Sequence, residues 1–204
     1  MSLYLELRKQ YGLNNPFLLK DISNEYNYNV IKVTINNLIK NNLVRRYSNG
    51  IYYLPKNSEI GELHPSYDEV LEKKYLKNNN KIKGYYTGII LLNNAGLTNQ
   101  VPNVREICTN VETNIKRVVK VNNKKLILRK PLIEINNDNV HYLEFMDIFR
   151  YCDLFDLLEN DKTKIIEYIN LHNLTKRKML RYLDIAPHRV RDYMCGSGVF
   201  SELK

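Results

Sequence analysis

The sequence predicts an α+β protein built in two parts, and three observations carry the prediction. Helical and strand-like patterns alternate around short turns over residues 17–55, β-rich runs follow between residues 104 and 135, and a helical apolar period takes over from Val140. The first pattern reads as an N-terminal winged helix-turn-helix. The rest reads as a mixed α+β domain with a small sheet and a helical C-terminal tail. The predicted division is residues 1–56 for the winged helix, 57–65 for a linker and 66–204 for the second domain, and 204 residues suffice for two small cores.

Taken in order, Met1 to Gly12 interleaves Glu6, Arg8 and Lys9 with apolar residues and predicts an amphipathic helix rather than a signal peptide. Pro16 offers a helix start, with Phe17, Leu18, Leu19 and Ile22 as its apolar set. Ser23 to Asn27 makes a turn. A second helix is expected from about Tyr28 to Asn41, with Thr34, Ile35, Leu38 and Ile39 on one face and Lys32, Asn36, Asn37 and Lys40 on the other. Asn41-Asn42 stops it, because Asn tolerates the left-handed backbone of a helix end. Leu43 to Tyr47 and Ile51 to Leu54 then form two strands around Ser48-Asn49-Gly50, and Pro55 closes the unit.

Asn57, Ser58 and Gly61 mark the polar linker. A helix over residues 66–78 begins with Ser66 as cap and Glu69 as capping-box partner, and another covers residues 87–94. Strands are expected at residues 104–109, 117–121, 125–128 and 132–135, with Asn122-Asn123 turning the middle pair. Helices follow at about 140–158, 161–172, 175–184 and 187–203, broken at Asn160-Asp161, Asn173 and Pro187.

Charge is uneven along the chain. The formal net charge of +9 divides as +5 over residues 1–56 (eight Lys/Arg, three Asp/Glu), zero over 57–160 (14 and 14) and +4 over 161–204 (nine and five). Basic segments gather polyanions by counterion release, so the two ends are the segments that would face DNA. In the winged helix the outer face of the second helix would meet base edges through Lys32, Asn36, Asn37 and Lys40, with Arg45 and Arg46 on phosphate. A possible second basic surface is the predicted hairpin carrying Lys116, Arg117, Lys120, Lys124, Lys125, Arg129 and Lys130, unless nearby carboxylates offset it. The 28 asparagines, some in runs such as Asn78-Asn79-Asn80, point to compositional bias more than to selected contacts.

Other classes are disfavoured. The longest apolar run, around Ile89 to Leu92, is far short of a membrane span. Cys108, Cys152 and Cys195 are odd in number and widely spaced, which suits reduced thiols and a cytoplasmic protein. His64, His141, His172 and His188 are scattered, so no metal is expected, and no Gly-Lys-Ser/Thr or dinucleotide fingerprint suggests a cofactor. Asp147, Asp153 and Asp156 share a predicted helix without ligating neighbours and are expected to balance Arg150 and hydrate the helix. Catalysis is not expected.

Gly84-Tyr85-Tyr86-Thr87-Gly88 and Gly96-Leu97-Thr98-Asn99-Gln100-Val101-Pro102, with the winged helix before them and Glu106 to Asn110 behind, resemble the AbiEi-type antitoxins of type IV toxin-antitoxin systems. The resemblance runs from the N-terminal helices to about Asp147. It implies a repressor that binds inverted repeats in its own promoter, as a dimer or as paired monomers, and an antitoxin that neutralises a nucleotidyltransferase-like toxin without a stable complex. It also implies DNA recognition by Lys32, Asn36, Asn37, Arg45 and Arg46, although the family often carries Arg where Asn37 stands. The alternatives are a protein that binds a toxin directly through its second domain, or a nucleic-acid-processing enzyme using the basic hairpin.

Overall fold

The computed structural model describes residues 2–22, 27–59, 61–152 and 159–204. The chain divides into two units, residues 1–78 with 121–123 and residues 79–120 with 124–204. Small sheets and helices alternate in both, and the C-terminal region is helical.

The first unit runs α1 (Leu3–Tyr11), β1 (Phe17–Leu18), α2 (Leu19–Ile22), α3 (Tyr28–Lys40), β2 (Arg45–Ser48) and β3 (Ile51–Tyr53). Its three strands are ordered β1-β3-β2 and are antiparallel, with Phe17 opposite Tyr52 and Arg46 also opposite Tyr52 on the other side. Leu7, Phe17, Ile31, Ile35, Val44 and Leu54 fill the core at 0–2% exposure. Each such burial contributes roughly 1.5–3 kcal/mol before the loss of chain entropy. The helix expected from Pro16 begins only at Leu19. Phe17 and Leu18 pair with β3 instead, and the Phe17 ring stacks between Tyr11 and Tyr52 at 5.1 and 6.1 Å. Pairing and burial outweigh local helical spacing. Of the expected turn at 23–27 only Asn27 lies within the described residues, where its side chain caps α3 by accepting from Asn29 N–H at 3.0 Å.

Within the expected linker lie strands: β4 (Lys56–Ser58) pairs antiparallel with β5 (Gly61–Leu63), with Asn57 opposite Glu62. Then comes α4 (Tyr67–Leu71), whose capping box is complete: Ser66 N–H donates to Glu69 Oε2 at 2.6 Å, and Ser66 Oγ accepts from Glu69 N–H at 3.2 Å. It continues as a π-helical turn over Glu72–Leu76, not as one α-helix to residue 78. Val70, Leu71 and Tyr75 are buried, and Lys73 pairs with Asp21 at 3.2 Å. These contacts carry the first unit to Asn78 instead of residue 56.

After β6 (Lys77–Asn78) and β7 (Lys81–Ile82), the second unit comprises β8 (Gly84–Thr87), α5 (Ile89–Asn94), β9 (Arg105–Thr109), β10 (Lys116–Val121) and β11 (Lys124–Arg129). The sheet is ordered β10-β11-β9-β8, with β9 parallel to β11 and antiparallel to β8. Asn122 and Asn123 make the β10–β11 turn with φ of 46° and 62°. Every described residue with positive φ that is not glycine is an asparagine: Asn14, Asn42, Asn79, Asn122, Asn123 and Asn173. The expected strand at 132–135 is irregular, because the Asn110 side chain satisfies Ile135, accepting from its N–H and donating to its carbonyl, both at 2.8 Å.

Four helices complete the unit: α6 (Val140–Tyr151), α7 (Glu159–Leu171), α8 (Lys176–Leu183) and α9 (His188–Gly196). Phe145, Ile148, Phe149, Ile165, Ile169 and Met179 are fully buried at their centre. Glu144 ties α6 to α7 by accepting from Tyr168 Oη at 2.8 Å. The helix expected over 187–203 breaks at Gly196-Ser197-Gly198, where Gly198 takes φ of 75°, and a 3-10 turn over Val199–Glu202 follows. Asp153 and Asp156 lie outside the described residues.

Candidate nucleic-acid interface

Helix α3 is the best-formed candidate. Its inner side is set by Ile31 and Ile35, both nearly fully buried, with Leu38 and Ile39 packed beside them. Thr34, expected inside, is half-buried and returns its hydroxyl to the Val30 carbonyl at 2.9 Å. The outer side presents Asn29, Lys32, Val33, Asn36, Asn37 and Lys40, all exposed. Among the described residues, the side chains of Lys32, Asn36, Asn37 and Lys40 make no hydrogen bond or ion pair. Unspent donors and acceptors on one helical face, beside exposed Val30 and Val33, match a surface that reads base edges and thymine methyl groups.

The two arginines of β2 differ in their surroundings. Arg46 is exposed, its Nη2 donates to Asn49 Oδ1 at 2.7 Å, and among the described residues it pairs with no carboxylate. Arg45 is already engaged: Nε and Nη2 donate to Glu62 at 3.1–3.3 Å, and Nη1 donates to Asn42 Oδ1 at 2.7 Å. Arg45 thereby ties the β2–β3 hairpin to β5. Glu62 also accepts from Tyr53 Oη at 3.3 Å, while that hydroxyl meets His64 Nδ1 at 2.7 Å. The Arg45 hydrogen bond holds the Glu62 carboxyl below its ordinary value, and burial with the Glu62 charge pushes Tyr53 up to about 12. Glu62 falls in the residues read as linker, and no short-range signal joins positions 45 and 62.

The β10–β11 hairpin is less basic than its sequence. Arg117 donates to buried Glu112 through Nε at 2.8 Å. Burial works to raise the Glu112 carboxyl, but hydrogen bonds from Asn114, Arg117 and Thr113 prevail and hold it below the usual range. Arg129 forms an ion pair with Glu106. Arg117, itself exposed, and Arg129 are thus offset by carboxylates, and Lys116, Lys120, Lys124, Lys125 and Lys130 are exposed.

Sequence reasoning missed a polar cluster between the sheet and α6. Asp147 is buried rather than hydrated: its Oδ2 accepts from Thr87 Oγ1 at 2.7 Å and Tyr85 Oη at 3.0 Å, while Arg150 stands 3.8 Å from Oδ1. Beside it, Glu106 receives Arg129 and the Tyr151 hydroxyl, the latter at 3.3 Å. Burial raises the Asp147 carboxyl against the opposing pull of Thr87, Arg150 and Tyr85, and burial with the Asp147 charge lifts the Cys108 thiol to about 12. A thiol so raised is a poor nucleophile at neutral pH. Gly84-Tyr85-Tyr86-Thr87-Gly88 held the one legible signal, since Tyr85 and Thr87 alternate on one strand face.

Among the described residues no group of three His, Cys, Asp or Glu side chains is placed to hold a metal ion, and no helix is long and apolar enough to cross a membrane. Residues 9–141 of the chain match a protein family described as DUF6088, a family of unknown function. No curated protein matches the chain.

Proposed function

The chain belongs to the DUF6088 family, and from its own residues we propose that its N-terminal unit is a winged helix that binds double-stranded DNA. The observation that carries this reading is the combination of element order and exposed chemistry. The order α1-β1-α2-α3-β2-β3, with β1 returning to pair with β3, is consistent with a winged helix, and the unspent face of α3 is exposed. In this reading α3 lies in the major groove. Asn36 and Asn37 meet base edges, Lys32 and Lys40 meet guanine or phosphate, and Arg46 meets backbone phosphate from the wing. Arg45 sets the wing's position through Glu62 and does not touch DNA.

We further propose that the protein is a cytoplasmic autoregulator and antitoxin that binds inverted repeats in its own promoter and neutralises a nucleotidyltransferase-like toxin without needing to touch it. The support for this part is the resemblance carried by residues 84–88 and 96–102. The role is one of binding, not catalysis.

The test is a salt series of binding to the DNA upstream of its own gene, against a scrambled duplex, for the wild type and a Lys32→Gln/Asn36→Ala/Arg46→Gln variant. Tight, sequence-dependent binding that the variant loses supports the reading, and equal weak binding to both duplexes removes it. Co-expression with the toxin tests the antitoxin role. Growth rescued by the wild type is the expected result, and unrelieved toxicity would overturn it.

A further inference from the structure

The second unit carries another segment with the build of a DNA-reading element, outside the residues that match the family. Helix α8 has eight residues and α9 has nine, and only residues 184–187 separate them. That is the length pattern of a helix-turn-helix. The turn is closed by Ile185 N–H to the Tyr182 carbonyl at 3.2 Å and Ala186 N–H to the Leu183 carbonyl at 3.1 Å, and Pro187 starts α9. Met179, Leu183, Ala186, Val190 and Met194 are all buried in the core of the second unit, so the two helices share one continuous inner strip. α6 lies beneath both.

The segment is also fixed in place. Thr175 caps α8 by accepting from Lys178 N–H at 3.4 Å, Thr175 N–H donates to Tyr142 Oη at 3.2 Å, and Lys176 N–H donates to the Lys204 carbonyl at 2.7 Å. Such anchoring fixes the start of α8, and the shared buried strip holds α9 against the same core.

The helix pair is basic, α8 more so than α9. Residues 176–192 contain six Lys/Arg and two Asp. Arg177, Lys178, Arg181 and Arg189 are exposed, and among the described residues none of them forms an ion pair. Arg191 instead meets His188 Nδ1 at 3.1 Å, and Arg189 lies over the Tyr193 ring at 5.1 Å. A solvated surface commonly intersperses carboxylates with its cations, whereas here unpaired cations gather on the two helices of one anchored pair.

We propose that α8 and α9 form a second duplex-DNA contact, with α8 across the phosphate backbone and the N-terminal part of α9, through His188 and Arg189, in the major groove. Charge complementarity selects the polyanion, and the length and rigidity of the helix pair select duplex over single strand. This binding surface is independent of α3. A chain holding both would bind DNA in two places, each raising the effective concentration at the other.

The test uses the full chain and a mixed-sequence duplex in a salt series. An Arg177→Gln/Lys178→Gln/Arg181→Gln/Arg189→Gln variant is expected to bind more weakly, with the slope of log K against log salt shallower by about 2–4, near 0.9 for each phosphate that the protein no longer neutralises. Affinity and slope equal to wild type would overturn the proposal. A parallel Lys32→Gln/Lys40→Gln/Arg46→Gln variant separates the two readings, because weakening there alone removes the second surface and leaves the first. Wild-type protein supplies a check independent of folding: Cys195 is exposed on α9, and saturating duplex should slow its alkylation by maleimide several-fold. Unchanged labelling of Cys195, or protection by single-stranded RNA and not by duplex, would also overturn the proposal.

Discussion

Arg45 on β2 and Glu62 on β5 form a forked ion pair, with two guanidinium nitrogens within 3.3 Å of the carboxylate. The pair is a quarter to a third exposed, so its worth to stability is modest, at most about 1 kcal/mol. Its larger effect is to withhold a cation from the surface. Glu62→Gln should release Arg45, tighten binding to any duplex at low salt and steepen the salt slope by up to about 1. Because the Glu62 carboxyl is held below its usual 4.5, its contribution is present at neutral pH and is lost as pH falls through the folded value. The variant should lack that acid-side loss when urea midpoints are compared between pH 7 and pH 3.5.

Asp147 has the opposite sign. Burial raises its carboxyl above the usual 3.8, so its favourable contribution is complete below that value and declines as pH rises through the folded one. Relative to Asp147→Asn, the wild type should therefore lose ground from pH 4 to pH 8, a trend that urea midpoints measured at each pH would show. A gap that stays constant with pH would contradict it. Asp147→Ala strands the Tyr85 and Thr87 hydroxyls and should cost about 2–4 kcal/mol.

Gly88 takes φ of 68°, and a Cβ added there would stand 3.0 Å from Glu106 Oε2. Gly88→Ala is expected to lower stability by about 1–3 kcal/mol through backbone strain and displacement of the Glu106 side chain from Arg129. Thermal unfolding checks it, and a melting temperature equal to wild type would refute it.

Asn110 serves as the hydrogen-bonding partner of Ile135 in place of a strand. Asn110→Leu leaves one buried N–H and one carbonyl without partners and should cost about 2–4 kcal/mol by urea denaturation. A destabilisation under about 0.5 kcal/mol would show that water replaces the amide.

Asn36 is exposed, and among the described residues its side chain makes no hydrogen bond. Asn36→Ala should change stability by less than about 0.5 kcal/mol while reducing discrimination between cognate and scrambled duplex by about 1–3 kcal/mol. Competition binding with the two duplexes separates these effects.

What could be read beforehand was local. The amphipathic face of α3, the Ser66 and Glu69 capping box, the Asn122-Asn123 turn and the helices after Val140 all follow from spacing within a few residues. What escaped needed partners distant in sequence. Phe17 is a strand residue because Tyr52 lies opposite it, and Asp147 is buried because Tyr85 and Thr87 turn their hydroxyls to it from some 60 residues away. On the β10–β11 hairpin the offset of Arg117 by Glu112, five residues away, was open to a sequence reading that allowed for nearby carboxylates, whereas Glu106 reaches Arg129 only once β9 and β11 pair.

The six asparagines in left-handed turns bear on the unfolded chain as much as on the folded one. At these positions many proteins use glycine, which enters the conformation freely but wanders widely when released. An asparagine side chain narrows that wandering, tolerates the turn at small cost, and at Asn42 also offers its amide oxygen to Arg45. Replacing any one with glycine would ease the folded turn and enlarge the denatured ensemble together, two effects of opposite sign. With only eight glycines in 204 residues, the chain makes these six bends at a lower conformational-entropy cost than glycine would impose, and the abundance of asparagine is in part a record of where it bends.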